Sequence, residues 1–279
     1  MKPTSNLFTA LAILLLSFSA AGQTQPTTSD YELRLGIASY KNAQYDDAMR
    51  HFARALDLDG SKLKARLYLA TTYMSQYVPG VDTPENIHRA EAAIEEYQHV
   101  LGADAELRPR VNSAKGIAYL YLNMKKFDDS RKYYRMASDL DPDDSEPYYS
   151  VGVIDWTKCY EPRMEARAVL GMRPEQLLDP RDPEQNKVCG ELKAKNMPVI
   201  EEGMDSFNKA IQLRPDYDDA MAYLNLMYRE KADVECDDLT TRAEDIRTAD
   251  HWVDETLRVK KLKAEKSKSF PAPTAPSPQ

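Results

Sequence analysis

The sequence predicts an all-α fold: a superhelical array of about five helix pairs, interrupted by two insertions and closed by a C-terminal capping helix. Three observations lead there. A pattern of small and large apolar residues recurs between residues 29 and 232. The last long segment then takes on the period of a helix with one polar face, which the end of a stacked array requires. Glycine is also scarce: the 279 residues hold only 10, and no two lie closer than Gly190 and Gly203. Phosphate loops of the dinucleotide and P-loop kinds need glycines a few residues apart, so both scaffolds are excluded. With Lys+Arg 37 against Asp+Glu 45 and a net charge of −8, the chain also lacks the cationic excess of a general nucleic-acid binder.

Residues 1–22 read as a secretory signal peptide. Lys2 is the charged start, Leu7 to Phe18 is mostly apolar, and Ser19-Ala20-Ala21-Gly22 supplies small residues for cleavage near Gly22 or Gln23. The alternative is an uncleaved anchor, although the apolar run is shorter than the roughly twenty residues a bilayer span needs. The first cysteine is Cys159, so no lipid-attachment cysteine stands at the cleavage point. No later stretch is apolar enough to span a membrane. These features predict an exported protein of a bacterial periplasm or cell envelope.

The first unit has Leu35-Gly36, then Tyr45-Asp46-Asp47-Ala48, Phe52, Ala55 and Leu56. The third has Gly116 and Tyr119, then Phe127-Asp128-Asp129-Ser130, Tyr134, Ala137 and Pro142. Gly36/Gly116 and Ala48/Ser130 are small where two helix backbones must approach, Phe52 and Tyr134 fill the space beside that approach, and Pro142 ends the unit. A second unit carries Leu69, Ala70 and Tyr73, then Ala93, Tyr97 and Val100. A fourth carries Tyr148, Val151 and Gly152, then Gly203, Phe207, Ala210 and Pro215, and a fifth opens with Met221, Leu224 and Tyr228. This pattern resembles the tetratricopeptide repeat, a helix pair of about 34 residues. It also resembles exported bacterial proteins of that type.

Two insertions break the period. In 76–89, Pro79-Gly80 predicts a turn and Thr83-Pro84-Glu85 a helix start, lengthening the second helix of its unit. The segment 157–198 is long enough for two short helices, one after Pro162 ending near Gly171 and one from Pro183 to about Lys195. It holds Cys159 and Cys189, the pair expected to join if the exported thiols oxidise, with Cys236 left free; three buried reduced thiols are the alternative. Such an insertion either carries individual function or pads a loop. Residues 233–269 form the capping region: Thr241 and Glu244 make a capping box, and Ala243, Ile246, Ala249, Val253 and Leu257 follow at helical spacing. Lys260, Lys261, Lys263, Lys266 and Lys268 suit a solvated helix end, with membrane-surface contact as the alternative. Residues 270–279 are Pro-rich and too poor in large apolar groups to pack, which predicts a disordered tail.

Catalytic and cofactor patterns do not stand out. His51, His88, His99 and His251 are scattered, no C-x-x-C or G-x-S-x-G occurs, and the acidic clusters Asp141 to Glu146 and Asp216 to Asp219 fall at repeat boundaries, where N-caps belong. No calcium-loop spacing is present at Asp141. The reading is therefore non-enzymatic, with neither cofactor nor metal.

What remains is a surface. The resemblance implies a groove lined by the first helix of each pair: Leu33, Ile37, Tyr40 and Lys41; Lys64, Leu67, Thr71 and Met74; Arg110, Ser113, Ile117, Leu120 and Tyr121; Tyr149, Val153 and Trp156. Tyr40, Lys41, Lys64, Met74, Arg110, Tyr121, Tyr149 and Trp156 are its candidate binding residues. Such a groove suits a protein or peptide segment, unless neighbouring helices bury these residues. The carboxylate clamp of some repeat proteins is not reproduced, since Leu33 and Ile37 occupy two of its places. The leading expectation is an interaction adaptor. Its rivals are a small-ligand binder or enzyme with a pocket at 157–198, and an envelope spacer.

Overall fold

The computed structural model describes residues 28–269, with side chains as far as Lys266. The expected signal segment and the Pro-rich tail lie outside the described residues. Among those described there are ten helices and no strand: α1 Ser29–Lys41, α2 Tyr45–Leu58, α3 Leu63–Gln76, α4 Pro84–Gly102, α5 Leu107–Asn123, α6 Phe127–Leu140, α7 Ser145–Val169, α8 Pro183–Leu213, α9 Asp218–Val234 and α10 Leu239–Ser269. Each helix packs on the next in sequence, and first helices of successive pairs also touch: α1 with α3, α3 with α5, α7 with α9. This is the predicted all-α array, with α10 packed on α9 at its end.

The helix ends follow from local chemistry. Thr28 Oγ1 accepts from Tyr31 N at 3.2 Å, Thr83 Oγ1 from Asn86 N at 3.3 Å, and Asp182 Oδ1 from Glu184 N at 2.9 Å and Gln185 N at 3.0 Å. Each supplies an acceptor that the first turn lacks. At α10 the cap differs from the expected box. Asp238 accepts from the amides of Thr240 and Thr241 and from the Thr241 hydroxyl, at 2.7–3.0 Å, so the helix begins before Thr241. A carboxylate satisfying three donors outcompetes the hydroxyl. The turns inside the first and third units share one geometry. Ala43 and Lys125 both sit at φ 57°, with Gln44 N reaching Ser39 O and Lys126 N reaching Tyr121 O at 2.9 Å, the closure of a Schellman motif.

The first insertion forms the expected turn and a lengthened α4. Its loop is fixed by Asn86, which is buried: the side-chain oxygen accepts from Val78 N and the amide donates to Val78 O and Val81 O, all at 2.8 Å. The second insertion does not form two separate short helices. α7 continues through Pro162 to Val169, and α8 runs from Pro183 through Pro198 to Leu213. An internal proline costs a helix about 3 kcal/mol; here the two extended helices lie along one another and pack into a shared core. Buried Asn196 ties them, donating to Cys159 O at 3.3 Å.

The expected Cys159–Cys189 pairing is also overturned. The disulfide joins Cys189 to Cys236, and Cys159 is free and buried. The turn from α9 into α10 brings Cys236 against the first half of α8, while Cys159 faces Asn196, two turns further along α8. Burial pushes the Cys159 thiol up to about 12, so it is inert as a nucleophile.

Close helix approach is set by rings lying on glycine. A Cβ added at Gly36 or Gly152 would fall 2.5 or 2.6 Å from the rings of Phe52 or Phe207. At Gly116 the partner is Tyr97 of the preceding pair, at 2.6 Å. Tyr134, expected to fill that space, packs instead on Ala118, Val151 and Ile154, linking its pair to the next. On α10 the buried face is Arg242, Asp245, Ala249, Thr256 and Val259, rotated from the expected stripe; Ala243 and Leu257 are exposed.

Two stability tests follow. Gly152→Ala should destabilise the fold by about 1–3 kcal/mol, whereas Gly190→Ala, with open space around the helical position, should stabilise it by up to about 1 kcal/mol; thermal denaturation showing the same sign for both would refute the packing argument. Replacing Cys189 and Cys236 together with alanine should cost about 2–4 kcal/mol, and alkylation of unreduced, denatured protein should label Cys159 alone.

Candidate interaction surface

The first helices of the second and third pairs run side by side, and two clefts follow their junction. One, of about 680 Å³, is lined by Leu63, Lys64, Leu67, Tyr68 and Thr71 of α3 and by Asp104 to Glu106 and Pro109 opposite. The other, of about 380 Å³, continues from Thr71 and Met74 to Asn112, Lys115, Gly116 and Tyr119 of α5, with Tyr97, Tyr134 and Glu146 at its sides. Thr71 belongs to both, so the two form one path along the α3/α5 seam.

Its floor is apolar with fixed hydroxyls. Thr71 Oγ1 lies 3.2 Å from Tyr97 Oη, and Tyr97 Oη lies 3.7 Å from Met74 Sδ. Burial pushes the Tyr97 phenol up to about 12, so it is a neutral donor or acceptor. Lys115 is committed to Asp144, at 2.8 Å, and to Glu146. The side chains of Lys64 and Asn112 are exposed and make no hydrogen bond or ion pair among the described residues. With the exposed carboxylates of Asp104 and Glu106 opposite, they are side chains along this path left to meet a ligand.

The sequence-derived groove residues divide accordingly. Lys64, Leu67, Thr71 and Met74 line the path. Tyr40 stands at its α1 side, with Oη 3.2 Å from Ser75 Oγ and its ring edge-on to Tyr68. Lys41 is exposed at the end of α1, and Arg110 is partly buried with its Nε unpaired. Ser113, Ile117 and Leu120 are fully buried, not in the groove. The flank of α5 that faces α3 lies one residue back, at Asn112, Lys115 and Tyr119, since one residue turns a helix by about 100°. Sequence reasoning missed these three because it gave every first helix one register. The available sequence signal was the polar Asn112 and Lys115 among the small and apolar residues of 111–118. Tyr121 turns outward to stack on Tyr133, ring centroids 5.7 Å apart. Tyr149 lies 4.9 Å from the Tyr217 ring and 6.1 Å from Phe207, which makes it a core contact of the fourth pair.

Trp156 reaches a separate pocket of about 360 Å³ between α7, the 174–177 connection, α9 and α10. Beneath it runs a buried ionic network. Arg163 Nε meets Glu230 at 2.7 Å, Arg167 Nη2 meets Asp233 at 2.7 Å, and Arg242 donates to the carbonyls of Ala232, at 2.9 Å, and Leu178, at 3.0 Å. Arg167 Nη1 also holds Pro174 O at 2.7 Å. A second buried ion pair, Arg131 Nε to Asp155 at 2.9 Å, is extended by Glu202 and joins α6, α7 and α8. At the basic end of α10, Lys263 pairs with Asp218. Among the described residues, no three His, Cys, Asp or Glu side chains are grouped to hold a metal ion, and no helix is long and apolar enough to cross a membrane.

Burial pushes Glu230 up to about 7 and Asp155 up to about 6, against the pull of Arg163 and Arg131. A carboxyl that holds its proton more tightly folded than unfolded loses stability as pH rises from its unfolded value, near 4, through its folded one. The melting temperature should therefore be higher at pH 5.5 than at pH 8, by about 3 °C or more. Glu230→Gln should flatten that dependence; an unchanged slope in differential scanning calorimetry would remove Glu230 as its source.

Comparison with known proteins places this geometry. The tetratricopeptide repeat family profile matches residues 116–144. The peroxisomal targeting signal receptor of Saccharomyces cerevisiae is 22% identical over 72% of this chain, which spans 31% of that receptor's length. The crystal structure of MamA superposes with a TM-score of 0.55 at 14% identity, covering 89% of this chain and 98% of MamA. YrrB, described as a repeat protein with an unusual peptide-binding site, gives 0.50 at 14% identity, covering 84% and 92%. Repeat pattern, profile match and fold agree: the chain carries a tetratricopeptide repeat at residues 116–144 and has the helix-pair fold of the tetratricopeptide-repeat structures.

Proposed function

We propose that this protein is an exported, non-enzymatic adaptor that holds an extended segment of another protein along the α3/α5 seam. The observation that supports this reading best is the continuity of the two clefts through Thr71, with an apolar floor and with Lys64 and Asn112 uncommitted at the edges. From Lys64 to Tyr119 the walls run parallel to two helices of four to five turns, about 20 Å, enough for roughly six extended residues. Apolar contacts along such a floor supply affinity, and a free carboxamide can pair with a peptide's backbone amide and carbonyl together. The description of YrrB as peptide-binding, and the yeast relative's name as a targeting-signal receptor, accord with this reading. The composition of residues 1–22 supports export to a bacterial periplasm or envelope.

The direct test is photo-crosslinking from position 67 in the native cell envelope, followed by affinity measurement with the captured partner's crosslinked segment. Lys64→Glu combined with Asn112→Ala changes exposed side chains only and should weaken binding by about 1–2 kcal/mol, some 5- to 30-fold, with the melting temperature unchanged. Equal affinity in that variant would refute the seam as the site. Export is checked by N-terminal sequencing of the envelope fraction, which should begin near Gly22 or Gln23; an intact Met1 terminus in the cytoplasm would overturn it.

A further inference from the structure

The pocket between the fourth and fifth pairs is built differently from the α3/α5 seam. Its wall, the connection from α7 to α8, is pinned from beneath by two buried guanidinium groups, Arg167 on Pro174 O and Arg242 on Leu178 O. Leu178 is itself buried, and the Cys189–Cys236 disulfide ties the adjoining helix to the turn into α10. The insertion thus packs as one wall of an open pocket, with Leu177 46% exposed at its rim.

The cavity has one flat aromatic side. Trp156 stacks on Tyr160, centroids 4.8 Å apart at 27°, and the Arg163 guanidinium lies 5.3 Å over the Tyr160 ring. Leu226 and Ile246 line the side formed by α9 and α10, with Leu177 in the connection. At about 360 Å³ the space is near the lower end for a small-molecule site and matches a one- or two-ring group.

Its charged lining is three guanidiniums, Arg163, Arg167 and Arg229, and three carboxylates, Glu175, Glu230 and Asp233, of which Glu175 faces Arg173 outside the pocket at 3.4 Å. Glu230 and Asp233 are already engaged by Arg163 and Arg167. The Trp156 Nε1 and Arg167 Nε hydrogens and the Asp233 Oδ2 acceptor are buried without a hydrogen-bond partner beneath the pocket surface. On the α9 side, Arg229 is held by Asp250 at 2.7 Å, and that carboxylate is 64% exposed, so an incoming anion can exchange with it at little cost.

We propose that this pocket binds a small planar aromatic carboxylic acid. Its ring lies between the Trp156–Tyr160 stack and Leu226/Ile246, and its carboxylate is taken by Arg229. Stacking on an aromatic face and a charge-assisted hydrogen bond from a guanidinium are complementary contributions that one compact ligand can satisfy together.

The test uses the full chain with phenylacetate and indole-3-acetate as probes and phenylacetamide as the neutral control, read by isothermal titration calorimetry and by the indole N–H resonances of Trp156 and Trp252. The Trp156 resonance is assigned by its loss in Trp156→Phe. We expect saturable binding of at least one acid with a Kd of about 1 mM or tighter, a shift of the Trp156 resonance, and at least threefold weaker binding of the amide. Arg229→Gln should weaken the acid to the level of the amide, and Leu226→Trp, which fills the space, should abolish the Trp156 shift while the peptide affinity of the α3/α5 seam is kept. Should Leu226→Trp fail to fold, the Arg229→Gln titration decides alone. Absence of any Trp156 shift at 10 mM of both acids, a shift confined to Trp252, or equal binding of acid and amide would each overturn the proposal.

Discussion

The stacking of this protein depends on aromatic rings lying directly on helix backbone. At Gly36, Gly116 and Gly152 the missing side chain is replaced by the face or edge of Phe52, Tyr97 or Phe207, so the axes approach more closely than two Cβ atoms would allow. Each helix pair alone leaves an apolar face unburied, and only contact with the next pair removes it from water. The glycine–ring contacts set the spacing at which that burial occurs. The separation of α3 and α5, and hence the width of the clefts between them, inherits that spacing.

Toward the C-terminus the same architecture is held by charge. The cores of the first three pairs are mostly apolar, but between α7, α8, α9 and α10 the chain buries Arg167, Glu230, Asp233 and Arg242. Ions removed from water demand partners with good geometry, and a network of this kind contributes little net stability compared with well-packed apolar side chains. Its physical effect is directional: each guanidinium accepts only certain positions of its carbonyl or carboxylate, so the 170–182 connection and the turn into α10 are held in one arrangement. Arg242 alone spans three segments, meeting the end of α9 at Ala232, the disulfide turn at Cys236 and the connection at Leu178.

The repeat itself was legible in the residues because it is a local periodic signal: small positions such as Gly36, Ala48, Gly116 and Gly152 recur in phase, and Thr83-Pro84 marks a helix start by local chemistry. The departures have a common origin in contacts between distant segments. Pro162 and Pro198 read locally as helix limits, yet packing of α7 along α8 carried both helices through them. Cys189 and Cys236 are brought together by the turn of α9 into α10, which no spacing in the chain reports. The rotated face of α10, with Arg242 and Asp245 inward, defeats a reading that puts only apolar residues inside. On α3 the expected positions Lys64, Leu67, Thr71 and Met74 line the clefts, whereas on α5 the lining side chains are Asn112, Lys115 and Tyr119, around the Gly116 that packs on the Tyr97 ring.

The position of the disulfide gives the array a polarity. In a structure whose units touch mainly their neighbours, thermal opening starts at the ends and moves inward. Here one end is α1 and α2, held by ordinary packing, while the other is a covalent ring that encloses most of α8, all of α9 and the turn into α10. A chain drawn through a narrow pore or threaded into a protease from its N-terminus would yield its first three pairs and α7 before it met the disulfide at Cys189. Drawn from its C-terminus, it would give up α10 and then meet a loop that no unfolding can straighten until the sulfur–sulfur bond is reduced.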